Sequence, residues 1–400
     1  MKTTRLRPPK VCAVLTASLA IGAAAGCGTT SSSHAKSPSS PRVRHVFVIM
    51  LENHGYSATF GTPSADPYLA TTLPGQGALL ENYYATGHFS NDNYISFISG
   101  QPPNSANQAD CTHYIDFPNA ATLNGIEQGA GCVYPSSVKT LTDQLEAKRL
   151  TWKGYMEDMG NDPTRESATC GHPVPGGVDP SFTAVPGDGY ATRHDPFVYF
   201  HSIVDNTAVC ERRVVPLGTA SGTLPPGTPA GVTGLVSDLK SIATTPNFSF
   251  IVPNLCNDGH DYPCVNESAP TSSAVGDVDS WLKTWVPIIT SSPAFRHDGL
   301  LEITFDEAEE PSLDTTSCCH ESPGPAAGSG GNGISGPGGG KVGAVLISPF
   351  ITPGKVVTTS YNHYSSLASI EDLLGLPRLG EAKTVTSIFT TDVHTSSRLP

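Results

Sequence analysis

The 400-residue sequence has no Cys-x-x-Cys pair, so its ten cysteines do not spell a zinc ribbon. Its glycine-rich stretch lacks the spacing and the following Lys-Ser/Thr of a P-loop, which removes that route to nucleotide binding. There is no internal repeat. Beyond the N-terminus, no apolar run approaches the length needed to cross a bilayer. Basic residues are scarce, 23 Lys and Arg against 36 Asp and Glu, for a formal charge of −13. That acidity argues against holding nucleic acid through its phosphates. It leaves room for a small phosphorylated substrate held locally by a metal.

What is present begins with a targeting segment. Lys2, Arg5, Arg7 and Lys10 form a positive region, Val11 to Ala20 a short apolar one, and Ala23-Ala24-Ala25-Gly26 precedes Cys27. The pattern is similar to a bacterial lipoprotein signal over residues 1–26, with Cys27 as the lipidated residue; an ordinary secretory signal is the alternative. The expected location is therefore outside the cytoplasm, anchored on the outer face of the cell membrane or secreted. Residues 27–41 read as a Ser/Thr/Pro-rich tether, and residues 42–400 as the folded part, of a length for one large α/β domain or two smaller ones. Removing the signal takes away four basic residues and no acidic one, moving the formal charge from −13 to −17.

Without Cys12 and Cys27, eight cysteines remain, an even number that suggests disulfides in an exported chain. Cys256 with Cys264 and Cys111 with Cys132 would close small loops. The adjacent Cys318 and Cys319 are expected to take separate partners.

Buried strands are read at Arg44–Leu51, Leu150–Met156, Asn247–Val252, Leu300–Phe305 and Val342–Ser348. Helices are read at Asn93–Ile98, Ser137–Lys148, Asp277–Thr290 and Ser365–Leu374. Their alternation predicts an α/β fold, a mainly parallel sheet covered on both faces. Leu217–Gly234 and the glycine-rich Ser322–Gly340 interrupt the pattern as long loops.

Ligands of open α/β sheets sit beyond the carboxyl ends of the strands. Two strands here end in oxygen ligands: Glu52-Asn53 after the first, Asp306-Glu307 after Leu300–Phe305. Brought together, they would form one hard, oxygen-rich cation site, favouring Mg²⁺, Ca²⁺ or Mn²⁺; a histidine in the inner shell would reopen Zn²⁺. The plain alternative for Asp306-Glu307 is a solvated acidic loop. A metal beside a hydroxyl is an apparatus for cleaving phosphate esters, and Ala85-Thr86-Gly87-His88-Phe89-Ser90-Asn91-Asp92-Asn93-Tyr94 offers the hydroxyl. Ser90 at a helix N-terminus would have backbone N–H groups near it, with Asn93 three residues on. Local sequence alone favours Ser90 as a simple helix cap.

The ordered blocks His45–His54, His88–Gly100, Trp152–Glu157, Tyr190–Phe197, Asn257–Asp261, Thr304–Glu307 and His363–Leu376 change that balance. Together they resemble the bacterial phosphoesterase family of acid phosphatases and phospholipase C enzymes, within the alkaline-phosphatase-like superfamily. The resemblance implies a three-layer sandwich with a largely parallel central sheet and helices on both faces. It implies Ser90 as nucleophile, and a divalent cation held by Glu52, Asn53, Asp306 and Glu307. Asp261, next to His260, is placed to orient that imidazole or to reach the metal, with Asp258 the weaker candidate. Asn93, His194, His260 and His363 would bind phosphate oxygens or move protons. The Asn91-Asp92 dipeptide departs from the family, where an apolar residue and Pro are common. The expected activity is a metal-dependent acid phosphatase acting on phosphomonoesters, phosphoinositide monoesters among them, through a phosphoserine intermediate. Phospholipase C-type diester cleavage is the enzymatic alternative, and a non-catalytic surface lipoprotein the alternative from another class. The expected partner is a small phosphorylated molecule or a phospholipid head group.

Overall fold

Eight strands make one sheet, and their order follows from which apolar runs are buried on both faces. The structure is a computed structural model and describes residues 43–119, 121–265, 273–309, 313–322, 324–325, 338–389 and 393. The signal, Cys27, the tether and most of Ser322–Gly340 lie outside these residues. In chain order the strands are β1 (His45–Leu51), β2 (Ala78–Leu80), β3 (Trp152–Met156), β4 (Val214–Pro216), β5 (Phe248–Val252), β6 (Gly299–Phe305), β7 (Ala344–Ile347) and β8 (Lys355–Val357). Their spatial order is β8-β2-β7-β6-β1-β5-β3-β4. Every pairing is parallel except those of β7, which runs antiparallel to both β6 and β2. The largely parallel α/β sheet read from the sequence is present.

β1 sits at the centre because all seven of its residues are buried. An aliphatic side chain fully removed from water contributes about 1.5–3 kcal/mol, so this run resists any exposed position. The register of β1 on β6, His45 opposite Gly299 through Leu51 opposite Phe305, assigns the two faces. Phe47 packs against Phe295 of α4 (Pro293–Asp298) on one side. Glu302, in register with Val48, points to the other, where it accepts a hydrogen bond from Ser366 of α5 (His363–Leu374). Helix α3 (Ala274–Thr290) lies with α4, and α1 (Ser90–Ser99) with α5. The short α2 (Leu141–Ala147) starts at a capping box, Thr140 and Asp143 each bonding the other's backbone N–H.

Four disulfides join Cys111 to Cys132, Cys170 to Cys210, Cys256 to Cys264 and Cys318 to Cys319. The last corrects the expectation of separate partners. The other six described cysteines pair among themselves, and Cys319 adopts left-handed backbone (φ 68°).

Several carboxyl groups are buried away from any cation. Burial pushes Glu302 up to about 7 and Asp195 to about 8. Such groups hold protons more tightly in the folded chain than in the unfolded one, where carboxyls release them near 4. Stability is therefore full below the unfolded value and is lost as pH rises through about 7 to 8. The metal-free protein should melt at a higher temperature near about pH 5.5 than near about pH 8.5, and Glu302→Gln should shrink the difference. A calorimetric pH series measures both; an unchanged slope in the variant removes Glu302 from the account.

Candidate active site

Register carries the site. Because β1 and β6 pair along their whole length, the residues that follow them are neighbours too: Asp306 N–H donates to Leu51 O at 2.8 Å, and Asn53 N–H donates to Asp306 Oδ1 at 3.0 Å. The loop after β5 joins them, with Glu52 N–H donating to Asp258 O at 2.9 Å. Gly259 permits that approach: it sits at φ 106°, and a Cβ there would fall 3.0 Å from Glu52 O and 2.9 Å from the His54 ring.

Helix α1 delivers the serine through strained backbone. Phe89 holds φ at 81°, a conformation costing a non-glycine residue on the order of 1–3 kcal/mol. Its N–H is fixed by Glu307 Oε2 (3.2 Å) and its carbonyl by Asn93 Nδ2 (3.1 Å). Ser90, the first helical residue, is 2% exposed, and its hydroxyl donates to Glu52 Oε2 at 2.9 Å. It is not a side-chain cap. The helix ends at left-handed Gly100.

A cleft of about 410 Å³ opens over the serine, lined by Asn53, Phe89, Ser90, Asp110, Phe182, Thr183, Arg193, His260, Asp261, Glu307 and Glu309. Another, of about 440 Å³, lies beyond β3 against Glu157, Asp158 and Trp285, and Ser90 is not in its wall.

Below the main cleft is an unusual concentration of negative charge. Glu52, Asp92, Asp258 and Asp306 are fully buried. Glu52 is pushed well above the ordinary carboxylate range by burial and then by the charges of Asp306 and Asp258. Burial, with Glu307 beside it, does the same to Asp306, and burial to Asp258 and Asp92. Glu52 Oε1, Asn53 Oδ1 and Asp306 Oδ2 are buried with no hydrogen-bond partner. Leaving one such atom bare costs about 1–3 kcal/mol. Three orphaned oxygens from the two strand ends fit a hard divalent cation, which would meet all of them. His194 and His260 each bring a nitrogen that, with a Glu52 oxygen, forms a group within 4.8 Å.

His194 is buried, stacked flat on Tyr94 at 5.2 Å, with Nε2 3.3 Å from Glu52 Oε1 and Nδ1 3.2 Å from Asp258 Oδ2. Neither contact has hydrogen-bonding geometry. Burial and then the Arg193 charge push its pKa down. His260 and Asp261 line the cleft and bond each other at 2.7 Å, with the carboxylate turned to the ring. Glu307 also lines the cleft, with one oxygen on His88 and on Phe89 N–H.

Two of the expected reactive residues point elsewhere. Asn93 spends its amide on the preceding loop: Oδ1 accepts from Thr86 N–H, Thr86 Oγ1 and Gly87 N–H, and Nδ2 donates to Gly87 O and Phe89 O. It shapes the turn that carries Ser90. His363 is buried behind the strand end, with Nδ1 on Tyr83 Oη at 3.1 Å and Nε2 on the backbone oxygen of Asp306 at 2.8 Å. Burial brings it down to about 4, so it is neutral there. Asp92, Asp110 and Arg193 join the site although their sequence context assigns them no role in it, and Asp258 joins from the block that holds His260. The Arg193-His194 adjacency is the one signal that would have found the arginine.

The chain has relatives along most of its length. The model of the Phosphoesterase family matches residues 67–377. An acid phosphatase from Aspergillus fumigatus is 26% identical over 84% of this chain and 55% of its own length. A phosphate-repressible acid phosphatase from Penicillium chrysogenum is 26% identical over 83% of this chain and 59% of its own. The chain thus spans under two thirds of these fungal proteins. A phosphatidylinositol-3-phosphatase from Mycobacterium tuberculosis is 24% identical over 86% of this chain and 80% of its own. Among solved structures, a protein in the alkaline phosphatase superfamily from Vibrio parahaemolyticus aligns with a TM-score of 0.47 at 13% identity, over 86% of this chain and 72% of that one.

A divalent cation at about 100 times its dissociation constant should stabilise the protein by about 2.7 kcal/mol. Thermal melts with and without Mn²⁺ or Zn²⁺ should show that gain for the parent and little of it for Glu52→Gln. An equal gain in both would place the cation elsewhere. Asn93→Ala should lower stability by about 2–3 kcal/mol in chemical denaturation through its lost loop bonds; an unchanged midpoint would mean the turn holds without it.

Proposed function

The chain belongs to the Phosphoesterase family, and from that premise we propose that it is an exported, metal-dependent acid phosphatase that hydrolyses phosphomonoesters through a phosphoserine intermediate. The observation that carries the reading is the Ser90 hydroxyl, 2.9 Å from Glu52 Oε2, beside the orphaned oxygens of Glu52, Asn53 and Asp306. A proton acceptor is thus in contact with the nucleophile.

Ser90 gives its proton toward Glu52 and attacks phosphorus, and the substrate's alcohol departs with a proton from water. The hydroxide left by that water then cleaves the phosphoserine, releasing inorganic phosphate, and Glu52 returns its proton to the serine oxygen. Glu52, Asn53 and Asp306 would hold the cation, with Glu307 and the two histidines near; bound there, it would stabilise the serine alkoxide and offset charge on the phosphoryl oxygens. Asn93 and the strained Phe89 fix where the hydroxyl points, and His363 holds the strand end that bears Asp306. The mycobacterial relative supports a phosphoinositide monoester as one natural substrate. Lipidation at Cys27 would place the cleft outside the cell, near such head groups.

Phosphate release from an aryl phosphomonoester should fall by at least about 10³-fold in Ser90→Ala with the melting temperature retained. Exhaustive chelation should abolish turnover, and added divalent cation restore it. Full activity in Ser90→Ala would remove the covalent route. Turnover of diesters alone would favour the phospholipase C-type alternative.

A further inference from the structure

Arg193 is 1% exposed, yet it lines the cleft that opens on Ser90. A guanidinium has five N–H groups and no acceptor. Here Nη1 donates to Phe182 O at 2.6 Å and Nη2 to His260 Nε2 at 3.0 Å. Nε has no hydrogen-bond partner, the nearest carboxylate oxygen being Asp110 Oδ2 at 3.8 Å. One hydrogen on each terminal nitrogen and the one on Nε therefore have no acceptor among the described residues. Bare buried donors on a charged group are costly, and an oxygen-rich anion would satisfy them.

The surroundings select the anion and aim the arginine. Four carboxylates line the cleft, Asp110, Asp261, Glu307 and Glu309, and Arg193 is the only Lys or Arg among its lining residues. A phosphoryl group entering over Ser90 meets attraction from the protein at this side chain. The donated bond from Nη2 occupies the His260 Nε2 lone pair, which leaves the ring hydrogen on Nδ1, 2.7 Å from Asp261 Oδ1. Asp261, His260 and Arg193 thus form a directional chain ending on the guanidinium. The Phe182 ring, 4.7 Å from the guanidinium carbon, and the Phe182 carbonyl hold it from another side.

We propose that Arg193 is the residue that grips the non-bridging oxygens of the substrate's phosphoryl group and that His260 and Asp261 are its positioning residues. The proposal rests on the phosphatase reading and narrows it to terminal phosphomonoesters. A planar fork matches two phosphoryl oxygens, and a monoester dianion presents a third oxygen and twice the charge of a diester. His260 then holds no free nitrogen for the leaving group.

The test compares the parent, Arg193→Lys, Arg193→Gln and His260→Asn, each with its metal content measured. The readouts are kcat/KM for an aryl phosphomonoester and for the methyl aryl diester, and the inhibition constant of inorganic phosphate. Arg193→Gln should lower monoester kcat/KM about 100-fold and weaken phosphate binding in parallel, with a smaller loss on the diester and metal content unchanged. Arg193→Lys should retain part of the affinity, and His260→Asn should fall between parent and Arg193→Gln. Equal losses on both esters would overturn the proposal. So would intact phosphate affinity in Arg193→Gln, or loss of bound metal in His260→Asn, which would make His260 a ligand. If Arg193→Gln does not fold, Arg193→Lys carries the same comparison. If the parent shows no Ser90-dependent turnover, the phosphatase reading fails, while calorimetric titration of inorganic phosphate into parent and Arg193→Lys still decides the role of Arg193.

Discussion

Buried negative charge at close quarters is the constraint on which the rest of this molecule depends. Pairing β1 with β6 in full register drives Glu52 and Asp306 together beyond the sheet, and the β5 loop adds Asp258 from the next strand. The fold is therefore committed to an electrostatic conflict before any substrate arrives. Backbone N–H groups and one arginine moderate it, and Glu52 Oε1, Asn53 Oδ1, Asp258 Oδ2 and Asp306 Oδ2 are still left bare. Stability has been given up where chemistry needs a poised oxygen.

Much of this was legible in the sequence, for a physical reason. Strands buried on both faces must read as continuous apolar runs, so β1, β5 and β6 announced themselves, and their polar ends marked the site edge. The candidate cation ligands Glu52, Asn53, Asp306 and Glu307 follow from that same logic and from the resemblance of ordered blocks, and the pairing of β1 with β6 brings the two strand ends together. The short strands β2, β4 and β8 escaped notice because three residues carry no periodic signal. Helix α1 was read only from Asn93 onward. Its first turn is buried yet polar, Ser90 through Asn93, and such residues look like loop when their partners are unknown.

Side-chain direction was the part the sequence withheld. Asn93 and His363 lie in the right blocks, but a block does not say whether a side chain faces the cleft or the frame behind it. Asn93 turns back to its own loop, and His363 meets the far side of Asp306. Arg193 was quoted within a block and given no task, because a lone arginine means little until its donors can be counted. The adjacent cysteines were misread for a related reason: availability of other partners is a three-dimensional fact.

The antiparallel strand β7 has a bearing on how such a protein can change. β6 climbs to the site edge and β7 starts down from it, Ala344 standing opposite Thr304. Both ends of the connection are thus moored at the rim of the cleft, tied across by Ala308 N–H to Gly339 O and Gly340 N–H to Thr316 O. Closing a longer loop costs only logarithmically more, so residues can be gained or lost beyond those ties without moving a strand. The floor of the cleft, with its buried carboxyl groups, is locked by register, whereas this part of its wall is open to revision at little risk to the fold.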